Sequence, residues 1–216
     1  MIDAVIFDLD GVLIDSEQIW NRVREALARE RGGRWHKDAH RDMMGMSSPE
    51  WSRYMHDVIG LSEPPADIAK EVVTRIEATY RRELPLMKGA VEAVKRMAGR
   101  WPLAVASSSN RPLVDLVLRL AGLAEYFSVT VSSEEVARGK PAPDVYLEAA
   151  RRLKVSPARC VAVEDSHNGF LSAKAAGMRV IAIPNTRYPP DEDALAAASV
   201  VLSSLDELTV AMVLKP

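Results

Sequence analysis

Four groups of polar side chains follow short apolar segments of the sequence, and their types are those of a shared chemical site. In chain order the groups are Asp8 with Asp10, Ser107–Ser109, Lys140, and Glu164 with Asp165. The preceding segments, such as DAVIF, PLAVAS and CVAVED, are rich in Val, Ile and Ala, which is typical of strands buried on both faces. Because ligands bind outside the carboxyl ends of parallel strands, the four groups are predicted to converge at one edge of a sheet.

The combination of residue types indicates phosphoryl transfer. Three or more carboxylates at one edge repel each other unless a cation lies among them, and oxygen ligands without clustered His or Cys favour Mg²⁺. A lysine and hydroxyl groups are suitable donors to phosphate oxygens. In phosphoryl transfer, positioning and neutralisation of charge account for most of the catalysis.

The pair Asp8 and Asp10 has the spacing of two cooperating carboxylates, because residues two apart point the same way from an extended chain. One carboxylate can attack phosphorus and form an aspartyl phosphate, while the other protonates the leaving oxygen and then deprotonates water. Each polar group taken singly is also compatible with a solvated strand end. A calcium loop also begins Asp-x-Asp, but its third oxygen ligand would fall at Val12, and a strand rather than a helix precedes it.

The order of elements predicts an α/β fold, a doubly wound parallel sheet with an inserted helical cap. Helix-like segments separate six apolar runs, which are DAVIF, PLAVAS, SVTVSS, CVAVED, RVIAIP and SVVLSS. No strand is indicated between residues 15 and 83, where three amphipathic segments follow one another. Residues 15–83 are therefore predicted to form the cap, and residues 1–14 and 84–216 the core. Ser16 and Asn110 are predicted N-caps of the helices that follow them.

Composition excludes several classes of function. The chain has 216 residues, a net charge of −2 and dispersed charges, so neither a nucleic-acid surface nor a polybasic membrane patch is indicated. No apolar run reaches the ~20 residues that span a bilayer, and early acidic residues argue against a signal peptide. The single cysteine, Cys160, is predicted to be buried. These features predict a cytoplasmic protein with a small-molecule partner and no nucleic-acid or membrane partner, as a monomer or weak homo-oligomer.

Four motifs resemble, in order and spacing, those of the haloacid dehalogenase-like phosphohydrolase superfamily: FDLDGVLIDSE, VASSSN, GKPAPDVY and VEDSHNG. The resemblance covers nearly the whole chain and implies the Rossmann-like core of that superfamily with its helical cap. True dehalogenases of the superfamily lack the second aspartate, and its transport ATPases carry Lys-Thr-Gly-Thr after theirs. Asp10 therefore implies a phosphatase or a phosphomutase.

The resemblance also implies a role for each catalytic residue. Asp8 corresponds to the nucleophile and Asp10 to the general acid and base. Ser107, assisted by the backbone of Ser108, corresponds to the residue that holds the phosphoryl oxygens. Lys140 corresponds to the cation that balances the charges of Asp8 and the phosphate.

A metal site is implied by the same resemblance. Mg²⁺ would be bound by the Asp8 carboxylate, the Asp10 main-chain carbonyl and Asp165. Adjacent residues of a regular strand point to opposite faces, so only one member of the acidic pair is expected to be a direct ligand. Glu164 is therefore predicted to lie behind the ligands and to orient them.

The cap is predicted to choose the substrate and to exclude water. The segments DSEQIW and ALAAASVVLSSLDELT resemble those of phosphatases that act on hexitol phosphates and 2-deoxyglucose 6-phosphate. The alternatives are a β-phosphoglucomutase-like phosphomutase and a phosphoglycolate phosphatase. Trp20 and Ser48 stand where the mutase has a histidine and an arginine, which argues against the mutase. An alternative of another class is a signalling module phosphorylated on aspartate, which would lack the inserted cap.

Some cap residues have two interpretations. Trp20, Met44, Met46 and Trp51 could line a pocket, although Met and Trp at helical spacing more often pack a core. His36 and His40 lie four residues apart, but without a third ligand nearby they are predicted to lie on a solvated helix face. The sequence as a whole predicts a Mg²⁺-dependent phosphatase of small metabolites, sugar or polyol phosphates, acting through an aspartyl-phosphate intermediate.

Overall fold

A six-stranded parallel sheet forms the centre of the computed structural model, which describes residues 1–44, 46–185 and 189–215. The strands are β1 (Ala4–Phe7), β2 (Leu103–Ser107), β3 (Phe127–Ser132), β4 (Cys160–Glu164), β5 (Arg179–Ala182) and β6 (Val200–Val201). Their order is β3-β2-β1-β4-β5-β6, and each neighbouring pair is parallel. Each of the six apolar runs forms one of these strands, so the predicted α/β fold with a parallel sheet is confirmed.

Helices cover both faces of the sheet, which explains the continuous apolar character of the central strands. In chain order they are α1 (Glu17–Glu30), α2 (Ala39–Met43), α3 (Ser48–Asp57), α4 (Pro65–Arg82), α5 (Ala90–Ala98), α6 (Arg111–Leu120), α7 (Asp144–Leu153), α8 (His167–Ala175), α9 (Glu192–Leu195) and α10 (Val210–Leu214). Val5 and Phe7 of β1 pack in the layer that contains α5 and α6. Ala4 and Ile6 pack in the opposite layer with α7 and α8.

Helices α1–α4 form the segment inserted between β1 and α5. Ile14 and Leu86 form an antiparallel bridge, so the chain enters and leaves this segment at the same place. Apolar side chains of all four helices belong to one cluster with the β1 face of the core. The assignment of residues 15–83 to a separate cap domain stays a prediction. No helix of the described residues has the length and apolarity needed to cross a bilayer.

Two predicted helix caps have other partners. Ser16 and Asn110 stand at the N-cap positions of α1 and α6, but neither side chain forms a capping hydrogen bond. The Ser16 hydroxyl donates to Asp10 Oδ1 at 2.6 Å. The Asn110 amide oxygen accepts from the Ser48 hydroxyl at 2.8 Å, and its nitrogen donates to Glu134 at 2.5 Å. The predicted capping role is wrong for both, because nearby charged and buried groups compete with the helix for these side chains.

Candidate active site

The predicted site residues meet where the strand order reverses. The chain passes from β1 toward β2 and β3 on one side, and β4 begins the other side of the sheet. This is the crevice in which α/β sheets bind ligands. Asp8 directly follows β1, and its backbone N–H donates to Val163 of β4 at 2.9 Å. Glu164 ends β4 and Asp165 follows it, so three carboxylates reach the crevice from two adjacent strands.

A buried cluster of charges occupies this crevice. Carboxylate oxygens of Asp8, Glu164 and Asp165 lie within 4.8 Å of one another, and all three residues are buried. The Lys140 ammonium donates to Asp8 Oδ1 at 2.8 Å and to Glu164 Oε1 at 2.5 Å. The structure therefore brings together four residues from three distant places in the sequence, with one cation against three carboxylates.

Glu164 is fully occupied by hydrogen bonds. Its Oε1 accepts from Lys140 and from the Tyr146 hydroxyl at 2.9 Å, and its Oε2 accepts from the backbone N–H of Asp165 at 2.9 Å and of Ser166 at 3.2 Å. A Cβ at Gly169 would lie 1.9 Å from the Glu164 carboxyl carbon, so glycine is needed for α8 to approach. These contacts support Glu164 as the residue that holds Lys140, and its place behind the metal ligands stays a prediction.

Tyr146 is a site residue that the sequence analysis missed. It is completely buried and lies 3.5 Å from the Lys140 nitrogen, in addition to its bond to Glu164. Its ring centre is 5.0 Å from that nitrogen, within the range of a cation–π contact. A usable signal was present, because Tyr146 is the last residue of the motif GKPAPDVY, six residues after the predicted lysine.

Burial dominates the electrostatics of the cluster. It raises the pKa of Asp8 to about 8, against the opposing effect of Lys140. Burial, followed by the charges of Glu164 and Asp8, raises the pKa of Asp165 well above its usual range. Although burial opposes it, the charges of Asp8 and Glu164 raise the pKa of Lys140. Negative charge is thus in excess here, and a further cation or protons must balance it.

The cluster has the properties of a site for a hard divalent cation. Its ligand atoms are carboxylate oxygens, which Mg²⁺ prefers. A cation among them would also offset the excess of negative charge. Gly11 has φ +82°, and a Cβ there would lie 1.9 Å from Asp165 Oδ2. Because Gly11 has no side chain, the Asp165 carboxylate can occupy this position. Any side chain at residue 11 would overlap with it.

Asp10 is bonded to hydroxyl groups instead of joining the carboxylate cluster. Ser16 donates to its Oδ1 at 2.6 Å, and Ser109 donates to its Oδ2 at 2.6 Å. Ser107 lies 3.4 Å from the same oxygen. Asp8 and Asp10 thus have different surroundings, as two different roles require. Ser16 was not predicted as a site residue, and Ser109 was predicted at this edge of the sheet as part of the serine run but without a role of its own.

The side chains of Ser107–Ser109 lie in different surroundings. Ser107 is completely buried, and its hydroxyl accepts from the Ser109 backbone N–H at 2.9 Å. Ser108 and Ser109 line the cavity described below. The Ser108 hydroxyl is buried without a hydrogen-bond partner among the described residues. A bound phosphate could supply that partner, but the phosphate-holding roles of Ser107 and Ser108 stay predictions.

A cavity of about 730 Å³ lies between the helical segment and the crevice. Asp8, Asp10, Lys140 and Asp165 line one side. The four cap residues with two interpretations, Trp20, Met44, Met46 and Trp51, line the other. Both interpretations are correct for the two tryptophans, which also pack in the core with ring centres 5.8 Å apart.

The prediction of a solvated helix face is right for His36 only in its exposure, because His36 lies outside the helices. His36 is exposed, but His40 is buried, with its Nε2 3.3 Å from Glu17 Oε2. Burial, together with the Arg24 charge, lowers the pKa of His40 to about 4. The prediction of a solvated helix face is wrong for His40 because α2 begins only at Ala39, so the two histidines do not share a helix.

Glu17 gives the stability of the protein a pH dependence. Burial, and then the charge of Asp10, raises the pKa of Glu17 from 4.5 to about 7. The folded state thus binds more protons than the unfolded state in this interval, and stability falls as the pH rises through it. In metal-free protein we expect Glu17→Gln to raise the free energy of unfolding by up to about 3 kcal/mol near pH 8. Chemical denaturation checks this, and an equal gain near pH 5 would contradict it.

Comparisons with known proteins agree with this geometry. A family model described as haloacid dehalogenase-like hydrolase matches residues 2–177. The chain belongs to this family. Hexitol phosphatase B of Escherichia coli (strain K12) is 33% identical over an alignment of 225 residues. The alignment covers 95% of this chain and 94% of the relative. The phosphorylated carbohydrates phosphatase of Thermotoga maritima is 33% identical over 183 residues, 83% and 84% of the two chains.

A solved structure has the same architecture. CbbY from Rhodobacter sphaeroides, in complex with phosphate, superposes with a TM-score of 0.85 at 33% identity, over 96% of each chain. The haloacid dehalogenase-like family, the α/β fold and the assignment to the phosphoric monoester hydrolases, all predicted from the sequence, are confirmed.

Proposed function

We propose that this haloacid dehalogenase-like hydrolase is a Mg²⁺-dependent phosphatase of sugar or polyol monophosphates that acts through an aspartyl phosphate on Asp8. The observation that carries the proposal is the position of the Asp8 carboxylate at the end of the cavity. One of its oxygens accepts from Lys140 at 2.8 Å, and the other accepts no hydrogen bond from the described residues. The free oxygen is the one available to attack phosphorus.

The chain's own residues account for the two chemical steps. The Lys140 ammonium lowers the electrostatic cost of placing a phosphate against the Asp8 carboxylate. Asp8 attacks phosphorus while Asp10, on the same side of the chain, protonates the leaving oxygen. Asp10 then takes a proton from the water that hydrolyses the aspartyl phosphate. The hydroxyls of Ser16 and Ser109 hold the Asp10 carboxylate in one orientation for both transfers.

The metal site is proposed to consist of the Asp8 and Asp165 carboxylates and the Asp10 main-chain carbonyl. Mg²⁺ bound there would neutralise the negative charge of the phosphate and of the carboxylates. Gly11 provides the room that Asp165 needs, and Glu164 holds the lysine behind it. The proposal is supported by the excess of buried negative charge: burial, together with the charges of Glu164 and Asp10, raises the pKa of Asp8 to about 8 although Lys140 opposes it.

Metal removal gives a test with two readouts. We expect a chelator to abolish phosphate release and Mg²⁺ to restore it. Mg²⁺ at ~100-fold its Kd should raise Tm by roughly 5–10 °C, because the ion binds only the folded cluster. Asp165→Asn should reduce both effects, whereas Asp57→Asn, at an exposed position at the end of α3, should change neither. Full activity after chelation, or a Tm that Mg²⁺ does not move, would contradict the metal assignment.

The substrate class is proposed from the cavity and the relatives. The matches to the hexitol and carbohydrate phosphatases named above cover 95% and 83% of this chain. A release assay over a panel of phosphate esters with Mg²⁺ tests the class, with sugar and hexitol phosphates expected to turn over fastest. Preferred release from phosphoglycolate would overturn the substrate class. A single release per enzyme would favour the signalling module and overturn the phosphatase.

A phosphomutase is less well supported by the cavity. The mutase arginine corresponds here to Ser48, whose hydroxyl donates to Asn110 at 2.8 Å. The mutase histidine corresponds to Trp20, which packs against Trp51. Neither position offers a charged or titratable group to a second phosphate. Conversion of a sugar phosphate into its isomer with little phosphate release would show that this reasoning is wrong.

A further inference from the structure

Arg24 of α1 is a buried cation that none of the steps above uses. It is 4% exposed and lines the cavity. Among the described residues its guanidinium forms no hydrogen bond or ion pair, and its buried Nε lacks an acceptor. A guanidinium that lacks acceptors at a buried N–H, as Arg24 does at Nε, is costly, since that N–H has lost water and gained no hydrogen bond in return. A ligand that enters the cavity is the natural source of those acceptors.

Two indole rings fix the orientation of this guanidinium. Its central carbon lies 4.6 Å from the centre of the Trp20 ring and 4.7 Å from that of Trp51. These cation–π contacts compensate part of the cost of burying the charge. They cannot accept hydrogen bonds from the N–H groups in the guanidinium plane, which remain available. The rings thus present the donors of Arg24 in a fixed direction.

The charges around Arg24 favour an uncharged partner. Cap residues 17–51 line the cavity with three cations and three carboxylates, which are Arg24, Lys37, Arg41, Glu17, Asp38 and Asp42. Arg41 is paired with Asp38 at 3.1 Å. The described part of this wall has no net positive charge that would attract a second anion. A donor at Arg24 beside an acceptor at Glu17 is instead complementary to hydroxyl groups, which both donate and accept.

We propose that Arg24 is a specificity-determining residue that binds hydroxyl oxygens on the uncharged part of the substrate, with Glu17 accepting from a neighbouring hydroxyl. The inference rests on the proposed phosphatase function. It adds Arg24 as the residue that recognises the alcohol part of the substrate, which is released from phosphorus. The edges of Trp20 and Trp51 supply apolar surface for the carbon chain between the hydroxyls. A phosphate ester without hydroxyls would bind at Asp8 but would not use Arg24.

The test compares two substrates in matched variants. Arg24→Met keeps the length of the side chain and removes its donors, and Arg22→Met changes an exposed arginine of the same helix. With a hexitol phosphate we expect Arg24→Met to lower kcat/KM by ~10–100-fold. With p-nitrophenyl phosphate, whose leaving group has no hydroxyl to bind, we expect less than about threefold change. Arg22→Met should behave as wild type with both substrates.

A second variant covers the case in which Arg24→Met does not fold. Arg24→Lys keeps the charge but lacks the planar fork, so a loss of about tenfold on the hexitol phosphate alone is expected. Equal losses on both substrates, or no loss on either, would overturn the role of Arg24. A loss confined to a bisphosphate would mean that Arg24 binds an anion and would overturn the hydroxyl assignment. Failure of the wild type to hydrolyse any of these esters would instead overturn the phosphatase itself.

Discussion

Asp8→Asn is expected to abolish phosphate release while the protein stays folded. An amide cannot attack phosphorus, so kcat should fall by on the order of 10⁴-fold or more. The fold should survive because burial raises the pKa of Asp8 to about 8, so its charged form is costly in the metal-free protein and an amide removes that cost. Lys140 also retains Glu164 as a partner. Phosphate release and thermal unfolding measured on the same sample check both parts.

The matched control for this variant is Asp57→Asn, the same substitution at an exposed residue at the end of α3. It should keep wild-type activity and Tm. A folded Asp8→Asn protein with wild-type activity would exclude Asp8 as the nucleophile. An inactive Asp8→Asn protein with a greatly lowered Tm would show that the residue is required for the fold, contrary to the electrostatic reasoning above.

Gly11→Ala is expected to have the next largest effect, through the position of one carboxylate. The new methyl group would lie 1.9 Å from Asp165 Oδ2, so the Asp165 side chain must move. A displacement of about 1 Å in a catalytic site costs on the order of 10²-fold in rate. The positive φ of +82° adds about 1 kcal/mol of backbone strain. We therefore expect a large loss of kcat/KM and weaker Mg²⁺ binding, together with a moderate loss of stability.

Gly60→Ala separates the effect of backbone strain from the effect of the contact with Asp165. Gly60 has nearly the same φ, +86°, but no described atom lies within 4 Å of the position of its added Cβ. It should lower Tm through the same backbone strain and cause no loss of activity, because Gly60 does not line the cavity. Wild-type activity in Gly11→Ala, or equal losses of activity in both variants, would contradict the contact between Gly11 and Asp165.

The parts of the fold that could be predicted from the sequence depend on local pattern. Each apolar run became a strand because a parallel sheet covered on both faces needs continuous apolar segments. Once those strands are placed side by side, Asp8 and Asp165 must meet, since β1 and β4 are neighbours at the point where the strand order reverses. Lys140 follows β3, which is not a neighbour of β1, so its place beside Asp8 was predicted by the family motifs and by the shared edge of the sheet.

The parts that could not be predicted depend on contacts between distant segments. Ser16 and Asn110 have the local pattern of helix caps, but Asp10 and Ser48 compete for them across the fold. His40 looked solvated because nothing local shows that it packs near Glu17. In the sequence, Arg24 is one of several charged residues of an amphipathic segment. Only the packing of two tryptophans around it shows that it is buried in the cavity wall.

The central claim, an aspartyl phosphate on Asp8, is tested most directly by trapping it. Asp10→Asn removes the base that activates water, so the phosphorylated enzyme should accumulate with a substrate whose leaving group needs no proton, such as p-nitrophenyl phosphate. Acid quenching and peptide mass spectrometry should find one phosphoryl group on the peptide that contains Asp8, and none in the double variant with Asp8→Asn. The wild type could instead turn over substrate while no phosphorylated Asp8 is found at any quench time, in either the wild type or Asp10→Asn. That result would contradict the proposed mechanism.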